Sequence, residues 1–287
     1  MFIIRVRGLS RRAKLPLLIV FQSILLKEAK LLTRYIGSLF TIVAMPFMMS
    51  GIFIGIGFAV AGASASSNFA INTGVQNPVL YLTLGGILMI SSMVMIENTS
   101  SVIREEQLIG TFELHYLTPN NTVLLWLFHA TAQSILMLVV FTLDLTVVVA
   151  MQGSLLSPVD WLIASLIILL GLLPLAGIGL IVAALTVRFK EVWAVASTLN
   201  SFIAMLSGFY YPLEIFPSIV QAISSLLPTS HASLLLRGIV QGRAFTMNIQ
   251  HEVVIMVFLG LIYLLLGKSF YTRWEDEARR KGELAKY

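Results

Sequence analysis

The stretch E-N-T-S-S-V-I-R-E-E-Q-L-I-G-T-F-E-L-H-Y-L-T-P, Glu97–Pro119, is a polar and charged island between two long apolar runs, Val79–Ile96 and Val123–Met151. It carries no pattern of catalytic residues. Arg104, Glu105, Glu106 and Glu113 instead predict a short surface helix held at a membrane face, where a soluble partner can grip it. An apolar helix needs about 20 residues to cross the hydrocarbon layer. Each flanking run therefore has room for one crossing, and the island joins the two.

The composition agrees with that reading. Of 287 residues, 57% are hydrophobic and only 11% charged, against about 25% charged in a soluble domain. Such a chain cannot keep its surface in water and is a polytopic membrane protein. Cysteine is absent, which excludes disulfides, C-x-x-C redox chemistry and thiolate metal sites. The formal charge of +5 reads as basic residues gathered at the inner ends of spans rather than as a nucleic-acid surface.

Taken in order, residues 1–37 predict a basic leader and an amphipathic interfacial helix. The leader M-F-I-I-R-V-R-G-L-S-R-R-A-K mimics the start of a signal peptide, but no small-residue cleavage site follows it. Over residues 17–36, Ser23, Lys27, Lys30 and Arg34 share one helical face, and Leu18, Phe21, Leu25, Leu32 and Ile36 share the opposite one. That pattern suits a helix lying in the interface with its lysines toward anionic headgroups. Residues 38–268 predict six spans: Ser38–Gly62, Val79–Ile96, Thr122–Met151, Asp160–Val187, Val192–Phe209 and Val253–Gly267. Gly51-x-x-x-Gly55 in the first permits close helix packing. Residues 63–78 read as an uncharged Ser/Asn/Gly loop, and residues 269–287 as a charged tail.

The outer segment 210–243 predicts two half-helices, Leu213–Leu227 and Ser230–Gln241, with Pro212, Pro217 and Pro228 at starts or breaks. Each is too short to span and too apolar for an open loop. Helices that dip partway into the outer leaflet meet both conditions, because their backbone hydrogen bonds stay internal. Six spans put both termini on one side, and a cytoplasmic assignment places 17 of the 19 Lys and Arg there, leaving Arg237 and Arg243 outside. The expected location is the inner membrane of a prokaryotic-type cell.

Catalytic and metal motifs are missing. There is no G-x-S-x-G and no H-E-x-x-H, and His115, His129, His231 and His251 have no ligand spacing to one another. These histidines read as polar residues at span ends or in loops. Gly267-Lys268-Ser269 would need glycine at position 262 to make a phosphate-binding loop, and Ile262 stands there. The chain is thus expected to be non-catalytic, with no cofactor of its own. Asp144 is the one acid well inside a predicted span and is a functional-site candidate on that ground. The plainer alternative is a bundle-facing Asp144 bonded to a Ser, Thr or Gln of a neighbouring helix. Glu97 closes the second span at the inner interface. Trp126, Trp161, Trp193 and Trp274 fall near span ends, as an aromatic belt would place them.

Three features together resemble the membrane permease of an ABC-2-type ABC exporter. The first is Arg104–Pro119, similar to the family's E-x-x-x-G-T-x-E-x-L-x-x-T-P stretch through Glu106, Gly110, Thr111, Glu113, Thr118 and Pro119. His115 replaces the family's leucine, with Leu114 beside it. The second is S-G-F-Y-Y-P-L-E-I-F-P, Ser207–Pro217, similar to the family's S-G-x-x-x-P-x-x-x-x-P. The third is the order of parts: amphipathic helix, six spans, outer half-helices before the last.

The resemblance implies a dimer of permeases, each docked on a separate cytoplasmic ATPase that supplies ATP and magnesium. It implies a coupling helix at residues 98–118, with Arg104, Glu105, Glu106, Gly110, Thr111, Glu113 and Leu114 facing the ATPase. It also implies an outer gate at Ser207, Gly208, Tyr210, Tyr211, Pro212 and Pro217, and alternating access for a hydrophobic or amphipathic cargo such as a drug, lipid or lipid-linked glycan. An ion-coupled secondary transporter using Asp144 and Glu97 is the alternative. It predicts internal repeats and helices broken at the midplane, and no convincing repeat is present.

Overall fold

Four helices begin where a short polar side chain caps the first turn, and these starts frame the whole molecule. In a computed structural model describing residues 16–75, 77–111, 114–115, 121–151, 156–189, 192–241 and 248–281, Asn77 Oδ1 accepts the Leu80 N–H at 3.1 Å. Asn121 does the same for Leu124 and Asn248 for His251, both at 3.3 Å. Ser157 and Asp160 form a reciprocal capping box ahead of Pro158. Each cap satisfies N–H groups that would otherwise lack a partner at the helix start.

The described residues are helical or irregular, with no strand among them. Helix α1 is Leu17–Arg34, α2 Ile36–Ala61, α3 Ala65–Thr73 and α4 Pro78–Ile109. They are followed by α5 Thr122–Met151, α6 Pro158–Leu172, α7 Leu175–Phe189 and α8 Val192–Leu206. The chain ends with α9 Ser218–Ser224, α10 Pro228–Val240 and α11 Ile249–Lys281. Among the described residues, five segments are long and apolar enough to cross a membrane: Leu39–Thr73, Pro78–Glu106, Thr122–Met151, Pro158–Leu185 and Ile249–Lys281. The bent pair α9 and α10, at 92° to each other, brings the number to six if counted as one span.

Helix α4 is the centre of the bundle. It buries Leu84, Ile87, Leu88, Met95 and Ile96 and packs against α2, α5, α7 and α8. Helix α2 lies at the margin, with Ile36, Phe40, Met48, Ile52 and Ile56 exposed as a lipid-facing surface would require. Among the described residues, no atom outside the local turns of α2 lies within 4 Å of a Cβ added to Gly51 or Gly55, so no described helix packs closely on that pair.

Several boundaries differ from the sequence expectation. Residues 63–78, expected as a loop, contain a 3-10 turn at Gly62–Ser64 and helix α3; the alanines of this stretch favour helix despite its polar residues. The fourth span is broken into α6 and α7 at Leu173-Pro174, because Pro174 has no N–H to give the preceding turn. Helix α8 stops at Leu206, short of the expected Phe209, because Gly208 takes a left-handed φ of 67°. Its 15 residues reach only about 22 Å, less than the roughly 30 Å of hydrocarbon. The first outer half-helix shrinks to a 3-10 turn at Leu213–Ile215 and the seven residues of α9, since Pro217 interrupts it. Helix α11 runs 33 residues, so the charged tail to Lys281 is its continuation.

Candidate functional site

The charged island is not a separate helix in its first half. Helix α4 continues without a break from the apolar run to Ile109, a 32-residue rod of about 48 Å. Gly110 ends it at φ 78°, a left-handed conformation that glycine adopts without a Cβ penalty. The Thr111 N–H then reaches back to the Glu106 carbonyl at 3.0 Å, the six-to-one bond of a Schellman cap. The matched Gly-Thr pair is thus a helix stop.

Around this stop the side chains divide into two sets. Glu106 is 8% exposed and turned inward. Lys27 of α1 donates to its Oε1 at 3.0 Å, His115 Nε2 lies 3.3 Å from its Oε2, and the Thr111 hydroxyl donates to the same oxygen. Leu108 and Ile109 are instead 72% and 73% exposed, and Leu114 is 56% exposed. Glu105 is exposed, accepting a hydrogen bond from Ser101 at 3.0 Å, and Arg104 is half-buried. The tip is therefore apolar and outward-facing, with Glu106 as the internal brace. Glu113, Thr118 and Pro119 lie outside the described residues.

A second brace fixes α1 to α5. Glu28 sits 3.2 Å from His129 Nδ1 and accepts from Gln133 Nε2 at 3.2 Å. Burial alone would push its carboxyl pKa up, but the hydrogen bond and charge of His129, with help from Gln133 and Lys27, hold it below the usual range. Trp126, expected in an aromatic belt, is instead fully buried, its Nε1–H donating to the Tyr271 hydroxyl at 3.0 Å. The first turns of α5 are enclosed by α11, and a buried indole needs such a partner. Nearby, Thr122 donates to Glu275, which also pairs with Arg279.

At the opposite end, the segment Ser207–Pro212 is locked onto α4 and α10. Arg237 is buried; its Nη1 donates to the Gly208 carbonyl at 2.8 Å and to Ser233 Oγ at 2.5 Å. Its Nη2 donates to the Phe209 carbonyl at 2.6 Å and the Tyr81 carbonyl at 3.3 Å. The guanidinium also lies 3.5 Å from the Tyr81 ring centroid, a cation–π contact, and the Tyr81 hydroxyl donates to the Gly208 carbonyl at 2.9 Å. A Cβ on Gly85 would stand 1.6 Å from the Phe209 carbonyl oxygen, so only glycine lets this strap approach α4.

The expected gate residues fall in different surroundings. The hydroxyls of Ser207 and Thr229 lie 2.5 Å apart, Tyr210 is buried against the Phe53 ring at 4.3 Å, and Pro212 is buried. Tyr211 and Pro217 face outward. The charge pattern of the sequence gives Arg237 no role beyond its place outside the spans. Its signal was a lone arginine in an otherwise apolar helical stretch, which has to find internal partners.

Asp144 faces the bundle, 2% exposed, and its Oδ1 has no partner among the described residues. The expected hydroxyl or amide partner is thus missing at that oxygen. Asp144 and the charged tip belong to different parts of the fold, and no group of three or more potential metal ligands occurs among the described residues.

These features find their counterpart in known sequences. The sequence model of the ABC-2 type transporter family matches residues 19–240, from α1 through α10, and the chain belongs to that family. It is also 26% identical over 154 residues to the "Putative transport permease YvfS" of Bacillus subtilis (strain 168). That match covers 52% of this chain and 60% of the relative. The protein is a multi-pass membrane protein of this transporter family.

Proposed function

We propose that the chain is the permease subunit of an ATP-driven exporter, docked through the tip of α4 on a separate cytoplasmic ATPase. The observation that carries this reading is the capped end of α4: one continuous rod runs from the bundle centre to an apolar tip of Leu108, Ile109 and Leu114. Exposed apolar side chains on a polar surface mark a protein interface. A rigid helix transmits displacement from such an interface into the bundle, whereas a flexible loop would absorb it. Arg104 and Glu105 supply polar contacts at the edge of the tip, and Glu113, outside the described residues, is expected to add a further acidic contact. Glu106 with Gly110 and Thr111 shapes the tip rather than touching the partner.

Both termini are cytoplasmic, α1 lies in the inner interface, and two permease copies flank the transport path. ATP and magnesium bind the ATPase, and the ATP cycle moves the rod and rocks the bundle. The strap with Ser207, Gly208, Tyr210, Tyr211, Pro212 and Pro217 closes the outer side, held by Arg237. The cargo is hydrophobic or amphipathic.

The test is a mild-detergent pull-down of the tagged chain from native membranes, with bound ATPase activity assayed. Wild type retains a P-loop ATPase, and Leu108→Asp with Ile109→Asp loses it. Absence of any ATPase in the wild-type sample would sink the reading. One observation favours the ion-coupled alternative, the buried and incompletely paired Asp144. Transport that persists without ATP and stops in Asp144→Asn would establish it.

A further inference from the structure

A cavity of about 710 Å³ opens where the α1–α2 junction meets the middle of α4 and α5. Its volume lies in the range of small-molecule sites, about 300–1,000 Å³. The walls are apolar, with Ile42, Val94 and Met137 among them, and the floor carries Glu97. Glu28 also borders it, but that carboxylate is already occupied by His129 and Gln133. Glu97 is half-buried and has no side-chain partner among the described residues. Arg34 stands at the rim, exposed at the end of α1.

We propose that this cavity binds an amphiphile with a protonated amine, the ammonium seated on Glu97 and the apolar body against Ile42, Val94 and Met137. The charge argument selects the class. A guest without a donor filling the cavity would take water from Glu97 and give nothing back, which is costly for a carboxylate, and a neutral donor would return only a weaker hydrogen bond than a charged one. An ammonium replaces that water with a charge-assisted hydrogen bond. The apolar walls then reward an alkyl or aromatic body by burial. The position selects the route: by the orientation proposed above, on which this inference rests, the α1–α2 junction lies at the inner leaflet, so an amphiphile reaches Glu97 sideways from the bilayer.

The test uses the full chain purified in dodecyl maltoside, a non-ionic detergent without an amine. Binding of a dansyl-tagged long-chain alkylammonium is followed by anisotropy beside its N-acetylated, neutral form. Wild type binds the ammonium form at least about tenfold more tightly, as expected for a half-buried charge pair. Glu97→Gln removes that preference, and Ile42→Trp, which fills the cavity, weakens both forms. Equal binding of the two forms to wild type overturns the proposal, and this comparison stands even if a variant fails to fold. An unchanged preference in a folded Glu97→Gln protein also overturns it. Phosphatidylethanolamine offers the same ammonium from a lipid headgroup. Displacement by it supports the site and names a bilayer lipid as the source, and undisturbed binding supports the site and names a free amphiphile. The assay needs no ATPase, so a missing ATPase partner and a missing ammonium preference are separate failures.

Discussion

The two ends of the bundle solve the same problem with opposite means. At the end closed by the Ser207–Pro212 strap a single buried guanidinium collects three backbone carbonyls and a hydroxyl from three parts of the chain. At the α4 tip Glu106 is held by a lysine, a histidine and a threonine, and the Lys27 side chain is 48% exposed. A buried fork bound to backbone has one arrangement, because each freed carbonyl would lose its partner away from water. A half-exposed ion pair exchanges readily with water and salt. The Arg237-held strap should therefore resist opening more than the brace at Glu106, which is free to exchange its partners.

The largest effect should come from the outer lock. Arg237→Met strips the Phe209 carbonyl of its guanidinium donor and leaves the Gly208 carbonyl with the Tyr81 hydroxyl alone, and thermal unfolding in detergent should show a loss of about 2–3 kcal/mol. Arg237→Lys should recover only part of this, since an ammonium cannot make both arms of the fork. Next is Gly85→Ala, whose methyl would collide with the Phe209 carbonyl. Displacing backbone in a packed site costs about 1–3 kcal/mol, and trypsin should cut the 207–241 region faster in this variant. A strap no more open to trypsin in either variant would contradict the lock.

These two effects also show where the sequence was legible. The class of the protein, the charged island and the outer helical segment followed from apolar run length and the grouping of charge. The polar caps Asn77, Ser157 and Asn248 were equally visible beside Pro78, Pro158 and the last apolar run, and would have moved three helix starts outward. The inward turn of Glu106 was not visible, because 3.6-residue periodicity gives a side chain a face but does not say which helix covers it. The Arg237 lock depends on Gly208 and Phe209, 29 and 28 positions away, and on Tyr81 and Gly85 of α4. Such long-range pairing leaves no local pattern. Glu97 was readable as a lone acid at a span end, but the cavity beside it requires the packing of four helices.

At the inner end the effects should be smaller. Lys27→Ala and Glu106→Gln each remove the same ion pair, worth about 0.5–1 kcal/mol for a partly exposed pair. A double-mutant cycle on thermal stability should give a coupling of that size, falling as salt rises. The same variants should weaken ATPase retention far less than Leu108→Asp with Ile109→Asp. Equal losses would mean that Glu106 contacts the partner directly and that the tip is not a preformed surface.

The smallest effect distinguishes a brace that titrates from a lock that does not. Glu28 has its folded pKa below the ordinary glutamate value, because the hydrogen bonds from His129 and Gln133 outweigh burial. A carboxyl depressed on folding contributes stability above its unfolded pKa of about 4.3, and that contribution is lost as pH falls toward and through the lower folded value. Wild type should therefore lose part of its thermal stability below about pH 4.3, while Glu28→Gln should lose less across the same window. The difference should be read between paired samples, since other carboxylates titrate in both. Arg237, whose hydrogen-bond partners are carbonyls and a hydroxyl, keeps its charge across that window and feels a carboxylate only through the field of Glu214, so Arg237→Met should lower stability by nearly the same amount at either end of it. If Glu28→Gln keeps the full acid loss, the α1–α5 brace is held by packing of Phe21 against Phe128, whose rings lie 5.5 Å apart, and the carboxylate is dispensable to it.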